Sequence, residues 1–201
     1  MNQLMNLKIL NQNLITLDSD YTLEETYLCD DVTLSLHLDT DKKYVLSYDC
    51  LQYSISTFRG MLQQALESSL GLHDSILLDV GLLWNEKAND DTVFSFEYEI
   101  IENTEHWVGL KNLLWSTPGN IKPDLSTWLY NDKNGNIIFE VTPTYHWHYS
   151  DPEPDDKDYI TYEEFMKNYK PLIIKQIPKD VANEWLSQVN ELLKFFEAKL
   201  D

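Results

Sequence analysis

Positive charge is what this chain has least of. Arg59 is the only arginine, and lysine and arginine together number 15 against 34 acidic residues, a net charge of −19. Such a field repels nucleic acid and anionic membrane surfaces and attracts cationic partners. With so few cations, an enzyme that clamps phosphate is excluded from the first rank of readings. Glycine is also scarce, at 6 residues, and no Gly-rich phosphate loop, Gly-x-Ser-x-Gly elbow or dinucleotide fingerprint occurs. The two cysteines, Cys29 and Cys50, make no disulfide framework, and neither has a histidine or base beside it to activate a thiolate. No stretch approaches the roughly 18 apolar residues of a membrane span. The opening MNQLMNLKILNQNLITLD lacks the basic and long apolar regions of a signal peptide, so a cytoplasmic location is expected.

What is present is enough to build a core. Hydrophobic residues make up 43% and aromatics 12% of 201 residues, a composition that argues for folding and against disorder. The length fits one domain over 1–201, with a C-terminal helical segment over about 161–200. The acidity is uneven. Residues 1–54 hold 9 acids and 3 bases and residues 55–110 hold 10 and 2, whereas residues 161–201 are close to neutral, with 7 and 6.

Hydrophobic periodicity gives the fold class. In VTLSLHL, Val32, Leu34, Leu36 and Leu38 alternate with polar residues, and Tyr44, Leu46 and Tyr48 do the same after a turn at 39–41. That loop predicts pairing of Leu36 with Tyr44, Leu34 with Leu46 and Val32 with Tyr48, which leaves Cys29 and Cys50 on opposite faces. An earlier hairpin, LKIL-NQN-LITL, fits the same pattern. A helix is expected from Ser54 or Ser56 as cap, through Ile55, Phe58, Met61, Leu62, Ala65, Leu66 and Leu70, to a stop at Gly71. Strands are then expected at 75–84, 92–101 and 106–115. Asn134-Gly135 predicts a two-residue type I′ hairpin that pairs Tyr130 with Phe139 and Trp128 with Val141. Thr161 and Glu164 mark a capped helix start. After Pro178, Val181, Trp185, Leu186, Val189, Leu192, Leu193, Phe196 and Leu200 draw one helical stripe. Strands, one helix, more strands and two helices make an α+β fold with a largely antiparallel sheet.

Two sets of residues are candidates for function. If the strand after Gly135 runs unbroken, Glu140, His146 and His148 share a face, the ligand set for a divalent transition metal in a hydrolase that activates water. Pro143 stands between them and would break that register. Asp151, Glu153 and Asp155 resemble the start of a calcium loop, but Asp156 stands where its glycine belongs and Tyr162 where its bidentate glutamate belongs. The second set is aromatic. Trp128 and Trp185 lie on apolar stripes and belong to the core. Trp107, Trp115 and Trp147, with Tyr145 and Tyr149, stand among polar residues and form a candidate binding patch.

Two stretches, WLYNDKNGNIIFEVTP (128–143) and YEEFMKNYKPLIIKQIPKDVANEWLSQVNELL (162–193), resemble a family of uncharacterised small bacterial cytoplasmic proteins. They cover about a quarter of the chain and bring no catalytic motif with them. Small acidic proteins of this kind include immunity proteins, so the resemblance implies a non-enzymatic partner of a basic protein, or more generally an interaction module.

Overall fold

A computed structural model describes residues 1–9, 13–38, 42–71, 79–88, 112–148, 152, 157 and 159–199. Among these residues eight strands form two four-stranded antiparallel meanders. The first sheet runs β1 (Asn2–Lys8), β2 (Leu14–Ser19), β3 (Asp31–Leu38) and β4 (Lys42–Cys50), and the second runs β5 (Leu113–Ser116), β6 (Leu125–Asn131), β7 (Ile137–Pro143) and β8 (Ile173–Ile177). Among the described residues four helices accompany them: α1 (Leu51–Leu66), α2 (Val80–Ala88), α3 (Tyr162–Asn168) and α4 (Lys179–Glu197). The fold is α+β, as the pattern predicts, with the sheet divided in two. Among the described residues no helix is long and apolar enough to cross a membrane.

One apolar cluster joins both sheets to α1 and α4. Leu17, Leu34 and Leu36 come from the first sheet, and Leu129, Phe139 and Val141 from the second. Phe58 of α1 packs 5.0 Å from Trp115 and 5.9 Å from Trp185, whose ring also meets Phe139 at 6.1 Å. The Trp185 indole N–H donates to the Lys8 carbonyl at 2.8 Å, which satisfies the one polar atom of that side chain. The α4 stripe buries Ala182, Trp185, Val189, Leu192, Leu193 and Phe196. A second cluster, Val80, Trp84, Trp128, Tyr130 and Ile138, lies under α2. With a core on each face, β6 and β7 are buried almost throughout.

Departures from the expected register have local causes. Leu36 pairs with Tyr44 as predicted, but a bulge follows between Leu34 and Ser35, and beyond it Leu34 meets Ser47 and Thr33 meets Tyr48. Leu46 is the extra residue, so Tyr48 turns outward instead of joining Val32. Cys29 and Cys50 are both free thiols. The hairpin at Asn134-Gly135 pairs Tyr130 with Ile138 and Trp128 with Glu140, one residue from the expected register. Only Gly135 takes a positive φ (76°), and Gly135 N–H donates to the Asp132 carbonyl at 2.8 Å. This is a three-residue loop with a type I turn and a glycine bulge, stabilised by Asp132 accepting from the Asn134 and Asn136 N–H groups at 2.8 and 2.9 Å.

Helix α1 begins at Leu51, ahead of both serines. Its first N–H groups need no side-chain cap because Leu51 and Gln52 donate to the Asp30 and Leu28 carbonyls, each at 2.9 Å. It stops before Gly71, with Ser68 in the left-handed region at φ 57°. The expected strand over 75–84 is instead helix α2 from Val80 onward. Between the two C-terminal helices the segment between Pro171 and Pro178 forms strand β8, paired with β7. The strand expected at 92–101 lies outside the described residues, as does most of that at 106–115, of which Leu113–Trp115 are seen in β5.

Candidate functional site

The proposed metal ligands are held apart by different partners. Pro143 ends β7, and His146–His148 form a short 3-10 turn, so the common strand face they were expected to share does not exist. Glu140 is fully buried. It accepts from Val80 N–H at 3.1 Å, Gly81 N–H at 2.6 Å and the Tyr130 hydroxyl at 2.7 Å. Two of these donors are the unsatisfied N–H groups that open α2, so the carboxylate pins that helix to β7. Gly81 is required there, because a Cβ would collide with the Thr142 hydroxyl. Asp79 completes the anchor, accepting from Leu82 N–H at 2.8 Å and from the Tyr169 hydroxyl at 2.6 Å. Burial pushes the Glu140 carboxyl up to about 7, against the pull of its three donors, and raises the Tyr130 and Tyr169 phenols.

His146 stands on another contact: its Nδ1 lies 3.1 Å from Asp124 Oδ2, which also takes Lys122 Nζ at 2.6 Å. The His148 side chain lies outside the described residues. Among those described, no group of three His, Cys, Asp or Glu side chains is placed to hold a metal ion.

The candidate aromatic patch is likewise redistributed. Trp115 is buried against Phe58 in the main core. Tyr145 is buried beside Tyr162 and Phe165, its hydroxyl donating to the Ile160 carbonyl at 3.0 Å. Trp147 is half-buried, while Trp107 and Tyr149 lie outside the described residues. The expectation that these residues form one exposed surface fails for Trp115 and Tyr145, because β5 and the turn after β7 direct both inward.

Among the described residues the four most exposed aromatics are elsewhere. At one end of the first sheet β2 ends, β3 begins, β4 ends and α1 begins. Tyr21, Tyr27, Tyr48 and Tyr53 project there with relative exposures of 54%, 55%, 49% and 61%. Asp20, Glu24, Glu25, Asp31 and Asp49 are exposed among them. The connecting segment 20–30 is braced at several points. Thr22 Oγ1 donates to Glu25 at 2.8 Å, Tyr27 N–H donates to Asp30 at 2.8 Å, and Thr26 Oγ1 reaches the Thr22 carbonyl at 2.8 Å. Lys199 braces this segment too, donating to the Glu24 and Thr26 carbonyls at 2.7 and 2.6 Å with its ammonium over the Tyr27 ring, 4.6 Å from the centroid. Tyr48 faces Asp31, whose negative charge raises the phenol above its ordinary value; partial burial and Asp20 add to the rise.

The sequence carried a signal for this surface. Between Lys8 and Lys42 there is no lysine or arginine, and eight acids stand in that interval. Compared with protein-family models, curated proteins and solved structures, the chain matches none of them.

Proposed function

We propose that this chain is a non-enzymatic binding protein, of the immunity type, that covers a basic partner protein in the cytoplasm with the acidic, tyrosine-bearing end of its first sheet. The observation that carries the reading is the combination found there: four exposed tyrosines on a braced backbone, set among exposed carboxylates. Tyrosine supplies large contact area at low entropic cost and is enriched at binding hot spots, and a field of one sign steers an oppositely charged partner. Bracing matters because a surface held in one conformation before binding loses less freedom on association. The net charge of −19 extends the attraction beyond the contact itself. The best-formed carboxylate cluster of the interior, by contrast, is consumed in holding α2.

The test is affinity capture at low salt with the wild-type chain and with an Asp20→Lys, Asp31→Lys variant in parallel, followed by binding kinetics on whatever is captured. The expected result is a basic protein held by the wild type and lost by the variant, with an association rate that falls as salt rises. Identical captures by both chains, or a partner whose association ignores salt, would rule the reading out.

A further inference from the structure

On the second sheet a recess of about 190 Å³ opens between the turn before β6, the turn after β7 and the start of α3. Its walls are Pro123, Pro143, Tyr145, Trp147, Ile160 and Phe165, and its polar edge is Lys122, Asp124 and His146. Tyr145 and Phe165 pack with ring centroids 5.4 Å apart, and the Tyr145 hydroxyl is tied to the Ile160 carbonyl, so that wall is preformed. Trp147 stands edge-on to His146 at 4.5 Å and to Tyr159 at 5.8 Å.

The polar edge is organised around the Asp124 carboxylate, which orients the His146 ring. Asp124 Oδ2 takes both Lys122 Nζ and His146 Nδ1, which neutralises the lysine locally and fixes the imidazole with its proton on Nδ1. The other ring nitrogen, Nε2, is then an acceptor, and among the described residues nothing donates to it. A concave apolar site with one oriented polar group is the usual form of a small-molecule site. An apolar cavity of about 150 Å³ takes a benzene molecule, so this recess has room for one six-membered ring and a substituent.

We propose that this recess binds a single uncharged aromatic ring bearing one hydrogen-bond donor, a phenol in its simplest form, with the ring against Tyr145, Trp147 and Phe165 and the hydroxyl donating to His146 Nε2. The ring gains offset or edge-on contacts with aromatic walls. The donor gives the site its preference. A carboxylate or ammonium group would instead disturb the neutral Lys122–Asp124–His146 arrangement.

The probes are p-cresol and toluene, which differ by the hydroxyl alone, titrated into the full chain at about pH 8, where a histidine is neutral. The Trp147 indole N–H and the Thr144 and Tyr145 amides are followed by two-dimensional NMR. Saturable shifts confined to these groups are expected, with p-cresol about fivefold tighter than toluene, the contribution of one hydrogen bond. His146→Phe should erase that preference while toluene still binds. Should that variant fail to fold, the contrast between the two probes on the wild-type chain decides by itself. Absence of saturation with p-cresol, equal affinity for toluene, or shifts scattered over exposed rings such as Tyr53 would overturn the proposal. Neither probe is charged, so failure here leaves the reading of the acidic surface untouched.

Discussion

At the start of α2, Tyr130 and Tyr169 donate to Glu140 and Asp79 at 2.7 and 2.6 Å in a largely buried setting, whereas at the end of the first sheet Tyr48 faces Asp31 in open solvent. The same two residue types meet in both places. In the first, loss of solvent is the leading cause of the raised phenols. In the second, the leading cause is the neighbouring charge. Buried carboxylates must be satisfied by donors, so they fix geometry and have no capacity left for a ligand. Exposed ones keep their lone pairs on water and can exchange that water for a partner. Burial, then, decides whether a tyrosine–carboxylate pair holds the fold or faces outward.

The sharpest way to break this comparison is to remove the buried acid. Glu140→Ala leaves Val80 N–H, Gly81 N–H and the Tyr130 hydroxyl without their acceptor, and should cost about 4 kcal/mol in urea unfolding, since each orphaned buried group costs about 1–3 kcal/mol. Acid titration tests the same residue without altering the interior. Folding raises the Glu140 carboxyl from 4.5 to about 7, so its contribution to stability is complete below 4.5 and is lost as pH rises through 7. Stability should fall by about 3 kcal/mol across that window, because each tenfold change in proton affinity on folding is worth about 1.4 kcal/mol. The Glu140→Gln variant should show a flatter profile there, and an identical slope in both chains would refute the assignment.

A smaller effect is expected where α2 touches β7. Gly81→Ala forces a methyl onto the Thr142 hydroxyl and should cost about 2 kcal/mol, the usual range for overpacking. Thr142→Ala in the same chain should recover part of it, a coupling that a double-mutant cycle measures. The smallest effects belong to the exposed end. Tyr27→Ala and Asp31→Asn should each change stability by no more than about 0.5 kcal/mol. Asp31→Asn should nevertheless bring the Tyr48 phenol back toward its ordinary value in a spectrophotometric titration. A large stability loss on either substitution would mean that this end, too, serves the fold.

Much of the architecture was legible where a long periodic pattern met a single face. The α4 stripe from Val181 to Phe196 and the alternation from Val32 to Leu36 both read correctly. Short elements did not. The run Val80-Gly-Leu-Leu-Trp84 is apolar throughout, and such a run fits a buried strand or a buried helix equally well. Five residues at β8, enclosed by prolines, carry too little period to separate from the helices around them. The two register errors share a cause, since each rests on one inserted residue, Leu46 or Gly135, whose placement depends on backbone twist rather than on residue type. For the site, composition located the acids, but residue type did not give the direction of each aromatic. The bulge at Leu46 turned Tyr48 outward, and β5 and the turn after β7 turned Trp115 and Tyr145 inward, against expectation.

The bulge at Leu46 has one more implication. A strand has only two sides, so everything beyond an added residue changes parity. An unbulged strand of the same sequence would pair Val32 with Tyr48 and carry that phenol toward the apolar layer, whereas deleting Leu46 would leave Ser47 and Tyr48 opposite Leu34 and Thr33 as they are. A recognition surface that rests on parity can be gained or lost by opening or closing one bulge, with no change in composition. Where β4 bulges, more than which residues it carries, thus decides whether Tyr48 faces outward or toward the core.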